Sequence, residues 1–531
     1  MKKTTAIILI LVLITIPINI FASPPEFAGG VNNEYEYEEI VFITGKPIKF
    51  VGTVTIPENS IMPDKDDGKP KTVTYNLKNL VPEDKSIEGK LNRRVTYSID
   101  YDNRSDKGQT IAKMSVKSYN ESIELDGNKF ILKDYQFSKS DIIDNRPASD
   151  FYSGNIRARK VYDITGGGRG RTSIGKVTID ISGGNMGYEN FWGATETQII
   201  DYIYNVIRES SDDDGGRGVE RDRSEEDDED EDEDENRTIQ SANWQGTVKC
   251  QVSDSMTKEL RYSDNEVGLS SFDGGYMRIT NNEIVSKYDY DLPYMGTGAN
   301  SYRRNKGTMH LSKEMVPEIE RLIVPKFRDL GGHWAESYIN KLYSLDVFDE
   351  VSTFFMPDVP MTREEFTKGI MRACDIRPGQ EEPTRKNRRN KEPEVSPFID
   401  ISIENDNYKY IKSGAEKGII QGISKDRFAP KKFLTRAQAI TIIIRALGFE
   451  NGAPTPGYIT SFSDDRLIPS WAKDSIYMGQ DIGLVQGDQL NRINPNDELT
   501  RAEASAMLVR FLEFLERDLQ RDYRENIILF N

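Results

Sequence analysis

Arg363, Arg436 and Arg501 each follow a threonine and precede a Glu or Gln by two residues, in Thr362-Arg363-Glu364-Glu365, Thr435-Arg436-Ala437-Gln438 and Thr500-Arg501-Ala502-Glu503. A threonine followed three residues later by Glu or Gln, ahead of an apolar helical pattern, is a capping box: Thr362 with Glu365, Thr435 with Gln438 and Thr500 with Glu503 each satisfy the other's free backbone N–H. Capping does not explain the arginine. A cation at the first helical position opposes the positive helix end and costs about 0.3–1 kcal/mol when exposed, so three copies imply a gain elsewhere. Free N–H groups, the helix dipole and a guanidinium together make a site suited to a carboxylate or phosphate. An ion pair with a carboxylate of a neighbouring unit, such as Asp329, Asp400 or Asp464, explains the arginines equally well.

The elements that would position these side chains recur. Each box lies 35, 37 or 38 residues beyond an opening phenylalanine, Phe327, Phe398 or Phe462, and such near-constant spacing marks a structural repeat. The helices behind the boxes would bury Phe366, Ile370 and Cys374; Ala439, Ile443 and Leu447; and Ala504, Met507, Leu508, Phe511 and Leu515. Trp334 and Trp471 each precede an isoleucine by five residues and head a shorter helix. A tryptophan there packs on its own repeat or offers its face to a sugar ring. The middle repeat has Asp406 at that place, with Tyr408 and Tyr410 close by.

With its Phe-x-Asp openings, its Trp-Ala helix starts, its turns Gly418-Ile419-Ile420-Gln421-Gly422 and Gly483-Leu484-Val485-Gln486-Gly487, and its Thr-Arg boxes, the region of about residues 325 to 520 resembles three S-layer homology domains. The first repeat departs at the turn, with Leu345-Asp346-Val347-Phe348. The resemblance implies an α-helical pseudo-threefold bundle made of residues 326–376, 397–450 and 461–520, whose grooves bind a pyruvylated secondary cell-wall polysaccharide without covalent attachment. It further implies that Arg363, Arg436 and Arg501 meet the ketal carboxylate, that Trp334 and Trp471 line the sugar, and that other S-layer or surface proteins are partners. Residues 377–396, which join the first two repeats, are rich in Arg and Lys and read as a solvated connector, with contact to anionic wall polymer as the alternative.

The rest of the chain makes this a multidomain protein. Residues 1–23 read as a cleavable secretory leader: Lys2 and Lys3, an apolar stretch from Ala6 to Ile20, then Phe21-Ala22-Ser23. The expected location is therefore secreted, at the cell wall, cell surface or S-layer, with no membrane contact after cleavage. From Ile40 to Ile181 the pattern is period two, as in Val95, Tyr97, Ile99 and Tyr101, which argues an antiparallel sandwich or barrel. One helix is expected within residues 24–210, because Ile199, Ile200, Ile203, Val206 and Ile207 recur at three- and four-residue steps. Residues 237–325 look like strands again, as a continuation or a second β unit.

Between them, residues 211–236 hold one aliphatic residue, Val219, and read as a disordered acidic linker or loop. Calcium at this run is the alternative, but its densest part lacks the spacing and turn glycine of an ordered calcium loop; no other cofactor or metal is expected. Residues 212–235 carry 16 carboxylates against 3 arginines, so −13 of the net −17 is local and only −4 belongs to everything else. Nucleic-acid binding does not follow from such a balance. Cys250 and Cys374 both read as small core residues rather than a bridge.

No catalytic residue stands out. Gly166-Gly167-Gly168-Arg169-Gly170-Arg171 separates two strand patterns and reads as a hairpin or wide loop, not a phosphate cradle. The two histidines are His310 and His333, the second in a repeat opening. A wall-binding protein is the first reading; a surface polysaccharide hydrolase using the same anchor is the alternative.

Overall fold

The computed structural model describes residues 29–33, 36–55, 71–125, 127–166, 173–208, 243–263, 275–293, 304–322, 324–350, 352–378 and 395–518. The stretch expected to be a leader, the acidic run and most of the basic connector lie outside the described residues. Among the described residues, a β-rich region of fourteen strands precedes six α-helices.

Thirteen strands follow one another as an antiparallel meander, β1 (Val31–Asn32), β2 (Glu36–Val41), β3 (Ile48–Thr55), β4 (Lys71–Pro82), β5 (Gly89–Arg104), β6 (Gln109–Leu125), β7 (Asn128–Asn145), β8 (Ser149–Gly166), β9 (Ser173–Asn190), β10 (Gly193–Arg208), β11 (Trp244–Ser263), β12 (Gly275–Pro293) and β13 (Arg304–Glu314). A short β14 (Glu318–Leu322) also pairs with β12. The sheet curls into a nearly closed barrel. Lys313 on β13 reaches back to Glu36 at 2.7 Å and Glu38 at 2.8 Å on β2, and the Ser286 hydroxyl of β12 donates to the Gly29 carbonyl.

Alternation decides which side chains enter. On β5, Leu91, Val95, Tyr97 and Ile99 are buried inside while Lys90, Arg94 and Asp100 face outward. A barrel that crosses lipid presents an apolar outer band; this strand presents the reverse. Inside, Arg93 bridges Glu39 and Glu121, both at 2.7 Å, and Tyr162 donates to Glu121.

The helix expected over Ile199–Ile207 is strand β10. It pairs with β9 on one side and with β11 on the other. Ile200, Tyr202, Tyr204 and Val206 point into the core, whereas Ile203 and Ile207 are 38% and 59% exposed on the outer face. Apolar residues on both faces imitated a helical spacing, and pairing on both edges overrode it. Because β10 pairs directly with β11, the acidic run connects two neighbouring strands of one sheet, and residues 24–210 and 237–325 contribute to a single unit. Gly166–Arg171 lies in the chain between the paired strands β8 and β9, and residues 167–172 are outside the described ones.

Helices α1 (Glu336–Ser344), α2 (Arg363–Ala373), α3 (Tyr408–Glu416), α4 (Arg436–Leu447), α5 (Ser470–Asp481) and α6 (Arg501–Glu513) form three pairs around one core that includes Phe366, Ile370, Ile443, Leu508 and Phe511. That core also takes in Ala148, Tyr188, Phe191 and Trp192 of the barrel. The last carbonyls of a helix lack intrahelical partners, and here the barrel supplies donors: Ala148 N to Ala446 O at 2.9 Å, Arg146 to Gly448 O, Trp192 Nε1 to Leu512 O at 2.8 Å and Asn190 Nδ2 to Leu515 O at 3.1 Å. Neither cysteine is in a disulfide, both are buried, and burial pushes their thiols up.

Two expectations follow. Trp192→Phe keeps most of the apolar packing and removes the bond to Leu512, so the urea midpoint should fall by an amount equivalent to about 1–3 kcal/mol; an unchanged midpoint would mean the dock adds no stability. Asp254 on β11 faces Glu196 across the pair, and burial, then that like charge, pushes its carboxyl up to about 7. Its folded value exceeds the unfolded one, so its contribution is full below about pH 4 and is lost as pH rises toward 7, at up to about 1.4 kcal/mol per pH unit. Asp254→Asn should flatten that fall and be the more stable protein at pH 8, as read by thermal unfolding across pH; parallel pH profiles for the two proteins would refute the assignment.

Candidate binding surface of the three repeats

The three boxes meet at a closed ring. Met361 N donates to Leu499 O at 2.8 Å, Leu499 N to Leu434 O at 2.8 Å, and Leu434 N to Met361 O at 2.9 Å. Each donor precedes a cap threonine, so the ring sets all three helix starts around one pseudo-threefold axis. All three capping boxes form. Thr362 N donates to Glu365 Oε2 at 2.8 Å, Thr435 N to Gln438 Oε1 at 3.3 Å and Thr500 N to Glu503 Oε2 at 3.0 Å, and each threonine Oγ1 accepts from the N–H three residues on.

The next two N–H groups of each helix are also occupied, by the loop of the following repeat. Arg363 and Glu364 donate to Lys432 O and Pro430 O, Arg436 and Ala437 to Asp497 O and Pro495 O, Arg501 and Ala502 to Val359 O and Pro357 O. The expectation that free helix N–H groups would assist an anion is therefore corrected: cyclic closure of the repeats uses them. Any anion chemistry at these ends belongs to the guanidinium groups alone.

Those groups sit in three different environments. Arg363 is 4% exposed, lies over the Phe428 ring at 4.8 Å, and donates through Nε to Phe428 O at 3.0 Å and through Nη2 to Gln421 O at 2.8 Å. Burial pushes its guanidinium down to about 10, a drop limited by the Asp400 charge. Arg436 is half-buried, with Nε on Ile493 O at 3.0 Å and Nη1 on Glu503 at 3.2 Å. Arg501 lies over the Phe355 ring at 4.5 Å between two carboxylates, Glu365 at 2.9 Å and Glu350 at 2.8 Å.

The opening aspartates do not pair with these arginines. Asp329 accepts from Phe355 N and Met356 N, Asp400 from Phe428 N and Ala429 N, and Asp464 from Ile493 N and Asn494 N, each within its own repeat. Burial works against ionisation of Asp329 and Asp400, yet these backbone bonds hold both below the usual carboxylate range. Glu350, the residue that does grip Arg501, lies in the first repeat's divergent turn, at the place of Gly422 and Gly487. That turn is kept: Asp346 takes the left-handed backbone at φ 56° where Gly418 and Gly483 have 72° and 75°.

Trp334 and Trp471 are 57% and 53% exposed, so neither packs into its repeat's core. Trp334 neighbours His333 and Tyr338, with ring centroids at 5.6 and 6.3 Å. In the middle repeat Asp406 is exposed, Tyr408 is buried, and the Tyr410 hydroxyl accepts from Arg372 Nε at 3.1 Å. Neither tyrosine replaces the missing indole.

Comparison with known proteins agrees with this architecture. The family model of the S-layer homology domain matches residues 326–367, 398–440 and 461–505. The chain carries three S-layer homology repeats. It is 33% identical over 135 residues to an endoglucanase of Bacillus sp. (strain KSM-635), covering 24% of this chain and 14% of that protein. It is 30% identical over 119 residues to a surface-layer 125 kDa protein of Lysinibacillus sphaericus, covering 22% and 10%, and 28% identical over 189 residues to exoglucanase XynX of Acetivibrio thermocellus, covering 35% and 16%. The chain thus spans less than a fifth of the length of each of these relatives.

Thr435→Ala removes the side-chain acceptor for Gln438 N and should cost about 1 kcal/mol, measured by chemical denaturation. A loss below a few tenths would show that the ring and the loop carbonyls hold the S-layer homology helix start unaided.

Proposed function

We propose that this protein is held noncovalently at the cell surface by its S-layer homology repeats, which bind a pyruvylated secondary cell-wall polysaccharide. The repeats place it at the cell wall or surface. Support for the glycan reading comes chiefly from two half-exposed indoles, Trp334 and Trp471, in repeats whose second helices start on the box arginines. Exposed tryptophan faces suit sugar rings, and guanidinium groups suit the ketal carboxylate. In this reading Trp334 and Trp471 line the sugar, and those of the box arginines that an anion can reach provide the positive charge. One charge-assisted hydrogen bond contributes only about 1.5–3 kcal/mol, so firm retention draws on several contacts or more than one occupied groove. Other surface-layer proteins are the expected neighbours.

The barrel is the displayed part. Its described interior offers a hydrolase little: Glu39 and Glu121 are both claimed by Arg93, and the cavity beside them, about 30 Å³, has room for about one water and none for a sugar ring.

Replacing Trp334 and Trp471 together by Ala, both largely exposed side chains, should weaken cosedimentation with purified pyruvylated wall sacculi by at least tenfold while circular dichroism stays helical. Undiminished binding by the folded double variant would remove the two indoles from the glycan site.

A further inference from the structure

The three repeat junctions differ in charge, and the difference selects among them. At the third junction Arg501 is enclosed by Glu350 and Glu365, so an incoming anion must displace a carboxylate and meets a net negative surround. At the second, Arg436 shares its charge with Glu503. At the first, Arg363 has no carboxylate within ion-pair distance among the described residues: its two acceptors are neutral carbonyls, and its Nη1 has none. A buried cation whose counter-charge, Asp400, acts only from beyond ion-pair distance is costly to keep, and an arriving carboxylate would relieve that cost.

The loop that carries those carbonyls is the basic one. Lys431 and Lys432 are exposed beside Arg363, where the corresponding residues are Asp358 and Val359 in the first repeat and Asn496 and Asp497 in the third. Lys431 contacts Glu364, yet its side chain remains 79% exposed. The Lys432 carbonyl accepts from Arg363 N, which fixes this loop against the α2 start.

We propose that the carboxylate of the wall glycan is received at the junction of the first and second repeats, by the edge of Arg363 together with Lys431 and Lys432, and that the Arg501 junction is closed to anions by Glu350 and Glu365. The proposal rests on the glycan-binding reading above and adds which junction takes the charge. Arg363 supplies the fixed, desolvated charge, and the two lysines supply the exposed entry. A ligand there must approach past the lysines, because only a sliver of the guanidinium reaches solvent.

The test uses the full chain and purified sacculi, with and without mild-acid removal of ketal pyruvate. Lys431→Ala/Lys432→Ala changes only exposed side chains and should weaken binding to pyruvylated sacculi at least fivefold, with a shallower salt dependence. Lys113→Ala/Lys117→Ala on the outer wall of the barrel removes the same charge elsewhere and should change nothing. Arg363→Gln should weaken binding further if it folds. Full-strength, pyruvate-dependent binding by the lysine variant would overturn the junction assignment and leave the glycan reading standing. Wild-type binding indifferent to pyruvate removal would overturn both.

Discussion

Three backbone hydrogen bonds, Met361 to Leu499, Leu499 to Leu434 and Leu434 to Met361, hold the helical region of this molecule to one geometry. Each repeat donates once and accepts once, so no repeat completes its share without both others. The ring sets each capping threonine directly after one of its three members. From there each α-helix start must face the loop of the next repeat, and the loop carbonyls take N–H groups that would otherwise be orphaned.

The same closure gives the arginines their dual character. A guanidinium at the first helical position points across the junction, stacks on Phe428 or Phe355 in two of the three cases, and finds whatever acceptors the following loop provides. The site is thus built from a repeated scaffold and unrepeated loop chemistry: neutral carbonyls at Arg363, one carboxylate at Arg436, two at Arg501. The barrel joins this arrangement from the opposite helix ends, with Trp192, Asn190, Ala148 and Arg146 answering carbonyls at or just beyond the ends of α4 and α6. The repeats and the barrel therefore share a core.

Local features were readable in the chain. The capping boxes depend on side chains three residues apart, and the inward faces of β5 and β9 follow from strict alternation at Val95 to Tyr101 and Val177 to Ile181. What failed depended on distant pairing. β10 has isoleucines on both faces, so its period was ambiguous until β9 and β11 flanked it. The partners of Arg501 were hidden because Glu350 lies 151 residues away and is brought in only when the third repeat meets the first. The aspartates of the Phe-x-Asp openings offered themselves as ion partners by type, but a turn with left-handed Met356, Ala429 or Asn494 claims them for its backbone. Spacing marked where charge would gather and was silent on which charges would cancel.

The most direct measurement is calorimetric titration of the intact protein with purified wall polysaccharide before and after its ketal pyruvate is removed. Saturable binding that weakens with salt and falls at least tenfold on pyruvate removal is the predicted result. Equal affinity for the two polymers would contradict an anchor that works through guanidinium and ammonium groups.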